Sequence, residues 1–449
     1  MNRLLIVAQA QHALGGVPVW LGYLAPGLQR AGWQVRIGLV ANRRAEVRDF
    51  LVRHPTLRDF AVGIVNATGT VTGRRQGVRR AIERWQPGLV LVIDVADAYG
   101  AVEDLRQRGR QAPLLMTALH GIHPAYFDDL ARWGSRLDGL VCSNRLTLRM
   151  AVDAGMPEER VAYAPVGVDF EGPSRSPSGS DVLRIAWVGR LDPFQKRPLD
   201  LVGIAERIAA AGVRFEMVVA GGGSGHAQLA EALATAASPL PVRLVGGLSP
   251  RAVADEVYPS ADVLLITSLW ETGPIVAWEA MARGIPVVSS RFIGSGLEDA
   301  LRHEENCLLF DIGDLDGACA GVLRSQDPAA RATLVAGGRE LVTRRYSTAR
   351  SVESWRDALA VLCRASTPRR PTASQAAPAG AGRLDRWLGA ELGERARGWM
   401  APLQRSGAAD APWPFSYGDA SLGNSFWTNA AERDGLRLPA AVQRELTAR

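Results

Sequence analysis

The sequence predicts an α/β protein of two doubly wound lobes with a C-terminal extension. Three observations carry that prediction. Short apolar runs of strand length alternate with longer amphipathic stretches, a turn-rich segment interrupts the alternation once, and the alternation then restarts. At 449 residues the chain is also too long for one ordinary core.

The first lobe is expected over residues 1–170. Residues 4–8 read as a strand, followed by a glycine-bearing loop over 12–16. Residues 19–31 have helical apolar spacing and stop at Gly32, and 35–40 form the next strand. Further apolar runs at 88–93, 114–118, 139–142 and 161–163 are continuous rather than alternating. Such runs suit strands buried on both faces of a parallel sheet covered by helices.

Residues 171–180 are rich in Gly, Pro and Ser and read as an interdomain linker. The second lobe, 181–346, repeats the pattern with strands at 183–188, 215–220, 242–245 and 263–267. Residues 364–449 form the extension. Its first part, 368–380, has the composition of a flexible linker. Beyond it stand Trp387, Trp399, Trp413 and Trp427, too costly to leave exposed, so this tail is expected to pack on the body, a membrane or a partner.

Composition narrows the functional classes. Hydrophobic residues make up 47% and charged residues 22%, the balance of a globular protein. Residues 1–7 hold too short an apolar run for a signal peptide, and no stretch has the length of a membrane span, so a cytoplasmic protein is expected. Cys142, Cys307, Cys319 and Cys363 lack metal-ligand spacing and read as reduced, structural residues. The net charge of +6 reads either as a generally basic surface or, more sharply, as attraction to an anionic partner such as a phosphorylated donor or a lipid headgroup. No aromatic-basic interleaving points to nucleic acid. The pairs Arg43-Arg44, Arg74-Arg75 and Arg79-Arg80 suit either an ordinary solvated surface or peripheral contact with an anionic inner membrane face.

Two lobes joined by a linker imply a cleft with ligands at the carboxyl ends of strands. The segment from Ser268 to Val288 begins where a strand ends. Glu271 falls in its loop, and Pro274 is expected in the first helical turn. Glu279 falls inside the helix, which is expected to run to Arg283 and stop at Gly284. A helix start presents free N–H groups to a diphosphate, and a carboxylate beside it accepts hydrogen bonds from hydroxyls. Alone, such a carboxylate pair reads first as solvated surface charge.

The pair is not alone. Glu271-x7-Glu279 followed by Ala280-Met281-Ala282-Arg283-Gly284-Ile285-Pro286-Val287-Val288 resembles the E-x7-E segment of retaining GT-B glycosyltransferases of family four. Gly189-Arg190-Leu191, with Lys196 further on, is similar to the family's G-R-L…K block. Ser260-Ala261-Asp262-Val263, Ala164-Pro165-Val166-Gly167-Val168-Asp169, Leu119-His120-Gly121 and Gly15-Gly16 resemble further family blocks in the same order, over about residues 1–360.

The resemblance implies a GT-B fold, in which two Rossmann-like domains face a cleft and a return helix at about 347–363 crosses back to the first. It implies a nucleotide-diphosphate-sugar donor and a hydroxyl acceptor, saccharide or lipid-linked saccharide, in polysaccharide, lipopolysaccharide or glycolipid synthesis. Arg190 and Lys196 would bind the diphosphate and take the place of a metal, so no metal and no cofactor is expected. Glu271 would bond the transferred sugar and Glu279 the ribose. The backbone at Gly16, Gly273, Ile275 and Val276 would approach the donor, and His120 would contact its sugar, with His123 a weaker candidate. Gly273 and Pro274 stand where the family commonly has Phe and Gly, and Pro274 removes one amide donor. Gly221-Gly222-Gly223-Ser224-Gly225 superficially resembles a dinucleotide fingerprint but lacks its acidic partner, and reads as a tight turn at the nucleotide end of the cleft. An epimerase on the same scaffold and a non-catalytic nucleotide-sugar-binding protein are the alternatives.

Overall fold

The computed structural model describes residues 2–10, 16–41, 47–66, 68–169, 181–366, 383–400, 413–418 and 425–447. The expected linker at 171–180, the low-complexity stretch at 368–380, Gly15 and the Arg43-Arg44 pair lie outside the described residues. The chain divides into two compact units. One contains Met1–Cys142, Ala151–Tyr163 and Ser354–Ser421; the other contains Ser143–Met150, Ala164–Glu353 and Leu422–Arg449. The helix Thr348–Ala365 therefore starts in the second unit and ends in the first.

The first unit is built on β1 (Arg3–Gln9), β2 (Gln34–Ala41), β3 (Ala61–Val65), β4 (Leu89–Val92), β5 (Leu114–Leu119), β6 (Gly139–Cys142) and β7 (Val161–Tyr163). They form one sheet in the order β3-β2-β1-β4-β5-β6-β7, every pair parallel. Apolar runs predict this sheet because β4 and β6 are buried along their whole length. The edge strand β3, Ala-Val-Gly-Ile-Val, is an addition: three of its five residues are exposed, so no buried run announces it.

The second unit repeats the design with β8 (Leu183–Val188), β9 (Phe215–Ala220), β10 (Val242–Gly246), β11 (Val263–Ile266), β12 (Val287–Ser290) and β13 (Leu308–Phe310). Their order is β10-β9-β8-β11-β12-β13, again all parallel. One apolar cluster holds Trp278, Tyr258, Tyr346 and Leu264. The other holds Trp187, Leu201, Ile204 and Phe215. Trp278 lies flat on Tyr346 at 4.1 Å between ring centroids. β12 and β13 are further additions to what the sequence predicts. Half of β12 is serine, yet Ser289 and Ser290 are fully buried, with the Ser290 hydroxyl donating to the Ser268 carbonyl at 2.6 Å.

In each sheet the order reverses direction at one place, between β1 and β4 and between β8 and β11. Ligands of open α/β sheets bind at the carboxyl ends of strands beside such a reversal. Among the described residues no helix is long and apolar enough to cross a membrane.

The tail departs from expectation in part. Trp413 is buried in the first unit, its indole N–H donating to the Ala41 carbonyl at 3.1 Å. Trp427 is half-buried in the second. Trp387 and Trp399, however, stand 89% and 86% exposed on the helix Arg383–Met400. That helix is held by a polar hook instead: the buried Glu394 carboxylate accepts from Thr70 at 2.7 Å and from Thr68. The basic pairs are likewise only partly a surface feature. Arg74 is buried against Asp97 and Arg79 against Asp104, while Arg80 is exposed.

Candidate active site

The second unit gathers most of the predicted site residues at the carboxyl ends of β8 and β11. The chain leaves β8 at Gly189 and turns on Asp192, whose carboxylate accepts from the Phe194 and Gln195 N–H groups at 3.0 and 2.7 Å. This Asp-Pro turn sends Lys196 back toward β11, where the Lys196 carbonyl accepts from Thr267 at 2.7 Å. The Lys196 ammonium then donates to Oε1 of Glu271, the first carboxylate after β11. The Ser268 hydroxyl donates to the same oxygen at 2.6 Å. Glu271 is fixed from behind, its N–H donating to the Ile293 carbonyl at 3.1 Å. The Lys196 and Glu271 side chains are 17% and 7% exposed, so solvent screens their attraction little.

Arg190 joins through Gln195. Its guanidinium donates to Gln195 Oε1 at 2.7 Å, and the Gln195 amide reaches the Trp270 carbonyl at 3.4 Å. The loop that carries Arg190 is backed by the glycine run 221–225. A Cβ on Gly221 would stand 1.7 Å from the Gly189 carbonyl oxygen, and one on Gly223 2.6 Å from that of Leu191. The Leu191 N–H donates to the Gly222 carbonyl at 2.9 Å and the Gly225 N–H to the Leu191 carbonyl at 2.8 Å. These glycines thus let two backbones touch, which explains them without a dinucleotide.

Gly273 has φ +149°, a conformation L side chains rarely adopt, so the departure from the family's usual Phe is a backbone requirement. Pro274 is not in the first turn as expected. It is the N-cap of the helix Ile275–Ala282, with φ −70° and ψ 88°. Ile275 and Val276 therefore open the helix, and their N–H groups belong to the turn that lacks intrahelical acceptors. The helix ends at Ala282, with Arg283 as its C-cap and Gly284 at φ +73°. Glu279 is held by the Tyr258 hydroxyl, which donates to Oε2 at 2.7 Å. Burial pushes the Glu279 carboxyl up from its ordinary value, against the hydrogen bond from Tyr258.

Gly16 and His120 belong to the first unit. Gly16 is the exposed first residue of the helix Gly16–Arg30. His120 follows β5 and lies beside two buried tryptophans, edge-on to Trp20 at 4.5 Å and stacked on Trp355 at 5.9 Å. Burial lowers its pKa to about 4, so the imidazole is neutral at pH 7. His123 has a structural role, since its Nδ1 accepts from the Ala125 N–H at 3.2 Å and caps the helix Pro124–Trp133.

Sequence reasoning missed Ser268, Gln195 and Tyr258, each of which orients a predicted residue. No local spacing marks them, because their partners lie across a loop or a neighbouring element. Among the described residues no group of three or more His, Cys, Asp or Glu side chains is arranged to hold a metal ion.

Two parallel, doubly wound sheets of this order, together with the likeness to solved glycosyltransferase structures over about 80% of the chain, place the fold in the GT-B class. Residues 183–325 match the family described as glycosyl transferases group 1. A D-inositol 3-phosphate glycosyltransferase of Stackebrandtia nassauensis is 31% identical over 316 residues, covering 66% of this chain and 68% of the relative. The chain belongs to the glycosyl transferases group 1 family. A D-inositol 3-phosphate glycosyltransferase of Acidothermus cellulolyticus is 31% identical over 253 residues, 52% of this chain and 56% of the relative, so this match spans little more than half of that relative's length. The solved structure of Anabaena Alr3699/HepE in complex with UDP and glucose superposes with a TM-score of 0.65 at 15% identity, covering 80% of this chain and all of that one.

Proposed function

We propose that this chain transfers a sugar, with retention at the anomeric carbon and without a metal, from a nucleoside-diphosphate-sugar donor to a hydroxyl acceptor. The observation that carries the reading is the Lys196–Glu271 pair at the carboxyl ends of β8 and β11, with Arg190 tied into the same network. Family membership and the UDP bound by Anabaena HepE support a nucleotide-sugar donor.

On this reading the ion pair exchanges partners. A diphosphate draws Lys196 and Arg190 to its oxygens, and Glu271 is released to accept from hydroxyls of the transferred sugar. The two cations stabilise charge that grows on the leaving diphosphate, as a metal does elsewhere. Amides of Gly273, Ile275 and Val276 face the donor, and Glu279, held by Tyr258, accepts from the ribose hydroxyls. The leaving phosphate helps to deprotonate the acceptor on the same face. Neutral His120 and the Gly16 backbone serve as sugar and diphosphate contacts of the first unit. The acceptor class is a saccharide or lipid-linked saccharide of the cell surface, met in the cytoplasm or at the inner membrane face.

The test is transfer from a panel of nucleotide-sugars, with the product's anomeric configuration read by NMR. Glu271→Ala and Lys196→Ala should each lower transfer by about a hundredfold or more while the fold persists. Near-wild-type transfer in both would remove the site assignment. Free epimerised donor without glycoside would replace transfer by epimerisation. Loss of activity in EDTA that metal restores would overturn the metal-free mechanism.

A further inference from the structure

The C-terminal segment 425–447 touches three loops of this site at three separate points. It forms two helices, Ser425–Arg433 and Ala440–Thr447, and belongs to the second unit. From the first helix, Trp427 stacks on Trp270, the residue before Glu271, at 5.4 Å and 23°, and meets Phe194 edge-on at 5.4 Å. Phe194 lies two residues before Lys196. From the turn after that helix, the Asp434 carboxylate accepts three backbone N–H groups: Gly294 at 2.6 Å, Leu297 at 2.8 Å and Gly296 at 3.0 Å. These amides belong to the loop after β12, which also supplies the Ile293 carbonyl that holds Glu271. From the second helix, Glu445 pairs with Arg197 at 2.7 Å, one residue beyond Lys196.

The chemistry of the middle contact is specific. Three converging N–H groups form a nest for an anion, and here the chain itself supplies the anion. Asp434 is 2% exposed, and its carboxylate accepts as many bonds as the three amides offer. A Cβ on Gly296 would lie 1.9 Å from the Asp434 carbonyl oxygen, so the two backbones are in direct contact as well. The same segment therefore fixes the loops after β8, β11 and β12.

We propose that 425–447 is a positioning strap of the donor site, with Asp434 and Trp427 as its positioning residues. They act through the loops that carry Lys196, Trp270 and Glu271. A strap of this kind sets how well those loops are ordered before the donor arrives, so its loss raises the dissociation constant for the donor. The inference rests on the donor reading given above.

The experiment titrates the full chain calorimetrically with UDP, GDP and ADP as probes and carries the tightest of them into variants. Lys196→Ala tests the donor reading; Asp434→Ala, Asp434→Glu and Trp427→Ala test the strap, each with its Tm measured alongside. Asp434→Ala and Trp427→Ala are expected to weaken binding about tenfold at temperatures well below their Tm. Asp434→Glu, which keeps the carboxylate, should recover part of that loss. If wild-type chain and Lys196→Ala differ as expected but Asp434→Ala and Trp427→Ala bind within twofold of wild type, the strap is overturned and the donor reading stands. Should the wild-type chain bind none of the three, the donor reading and the strap fall together. Should Asp434→Ala not fold, Trp427→Ala, which leaves the three amides capped, decides alone.

Discussion

The two units place very different chemistry at the same topological position. In the first, the strand ends beside the β1–β4 reversal meet the chain's own tail. The Gln9 amide donates to the Asp94 carbonyl and, at 3.2 Å, to the Trp413 carbonyl, while the Ala96 N–H donates to the Pro414 carbonyl at 3.1 Å. Each of these partners is a neutral backbone group. Charge at this end is the Asp94 carboxylate, which accepts from the Tyr126 hydroxyl at 2.9 Å, and, behind that layer, Asp97, to which Arg74 and the Tyr417 hydroxyl both donate. In the second unit, the strand ends beside the β8–β11 reversal carry Lys196, Glu271 and Arg190. Topology therefore says where a ligand can sit, and only the side chains say what it will be.

Four measurements break or sharpen that contrast. The largest effect is expected from Arg74→Ala. It leaves the Asp97 carboxylate buried without its guanidinium partner, in a site where burial already pushes that carboxyl up. A loss of about 3–5 kcal/mol in unfolding free energy is expected from denaturant melts, with nucleotide affinity of the folded fraction unchanged. Affinity lost with stability retained would mean that the first unit's charges serve binding and that the contrast is misdrawn.

Next comes Glu279→Ala. It removes a charged acceptor and should weaken nucleotide binding by about tenfold in calorimetry, and because it leaves the buried Tyr258 hydroxyl without this acceptor it should also cost about 1–3 kcal/mol in melts. Equal affinity in both chains would take Glu279 out of the site.

A smaller effect belongs to His120. The folded-state imidazole takes a proton only near pH 4, against 6.5 for an ordinary one. Between those values the unfolded chain binds more protons, so stability falls as pH falls through that window. His120→Asn should flatten the Tm against pH curve between 6.5 and 4. An unchanged slope would show that the imidazole titrates normally.

The smallest change is expected from Trp387→Ser, within about 0.5 kcal/mol in melts, because the helix is held through Glu394 and not through its exposed indoles. A larger loss would mean that the tryptophan covers apolar surface.

The sheets are legible in the sequence wherever burial on both faces forces a continuous apolar run, as in β4, β6 and β11. Where a strand is an exposed edge, like β3, or half serine, like β12, the run is missing and no strand is predicted. Lys196 and Glu271 are legible because motif order marks them. Ser268 and Tyr258 are not, since a hydroxyl that orients a carboxylate has no sequence period. Asp434 is harder still: its three amides lie 137 to 140 residues away in the chain, and no local pattern records so distant a contact.

The division of the chain has a consequence in time. The first unit draws its opening segment from Met1–Cys142 and its closing segment from Ser354–Ser421, and the second is completed only by Leu422–Arg449. A ribosome adds on the order of ten residues per second, so the first sheet waits tens of seconds after synthesis for the helix and the tryptophan that finish it. Through that interval Trp20 has no Trp355 to rest on and the ends of β1 and β2 have no Trp413, so the nascent chain shows apolar surface that the finished protein hides.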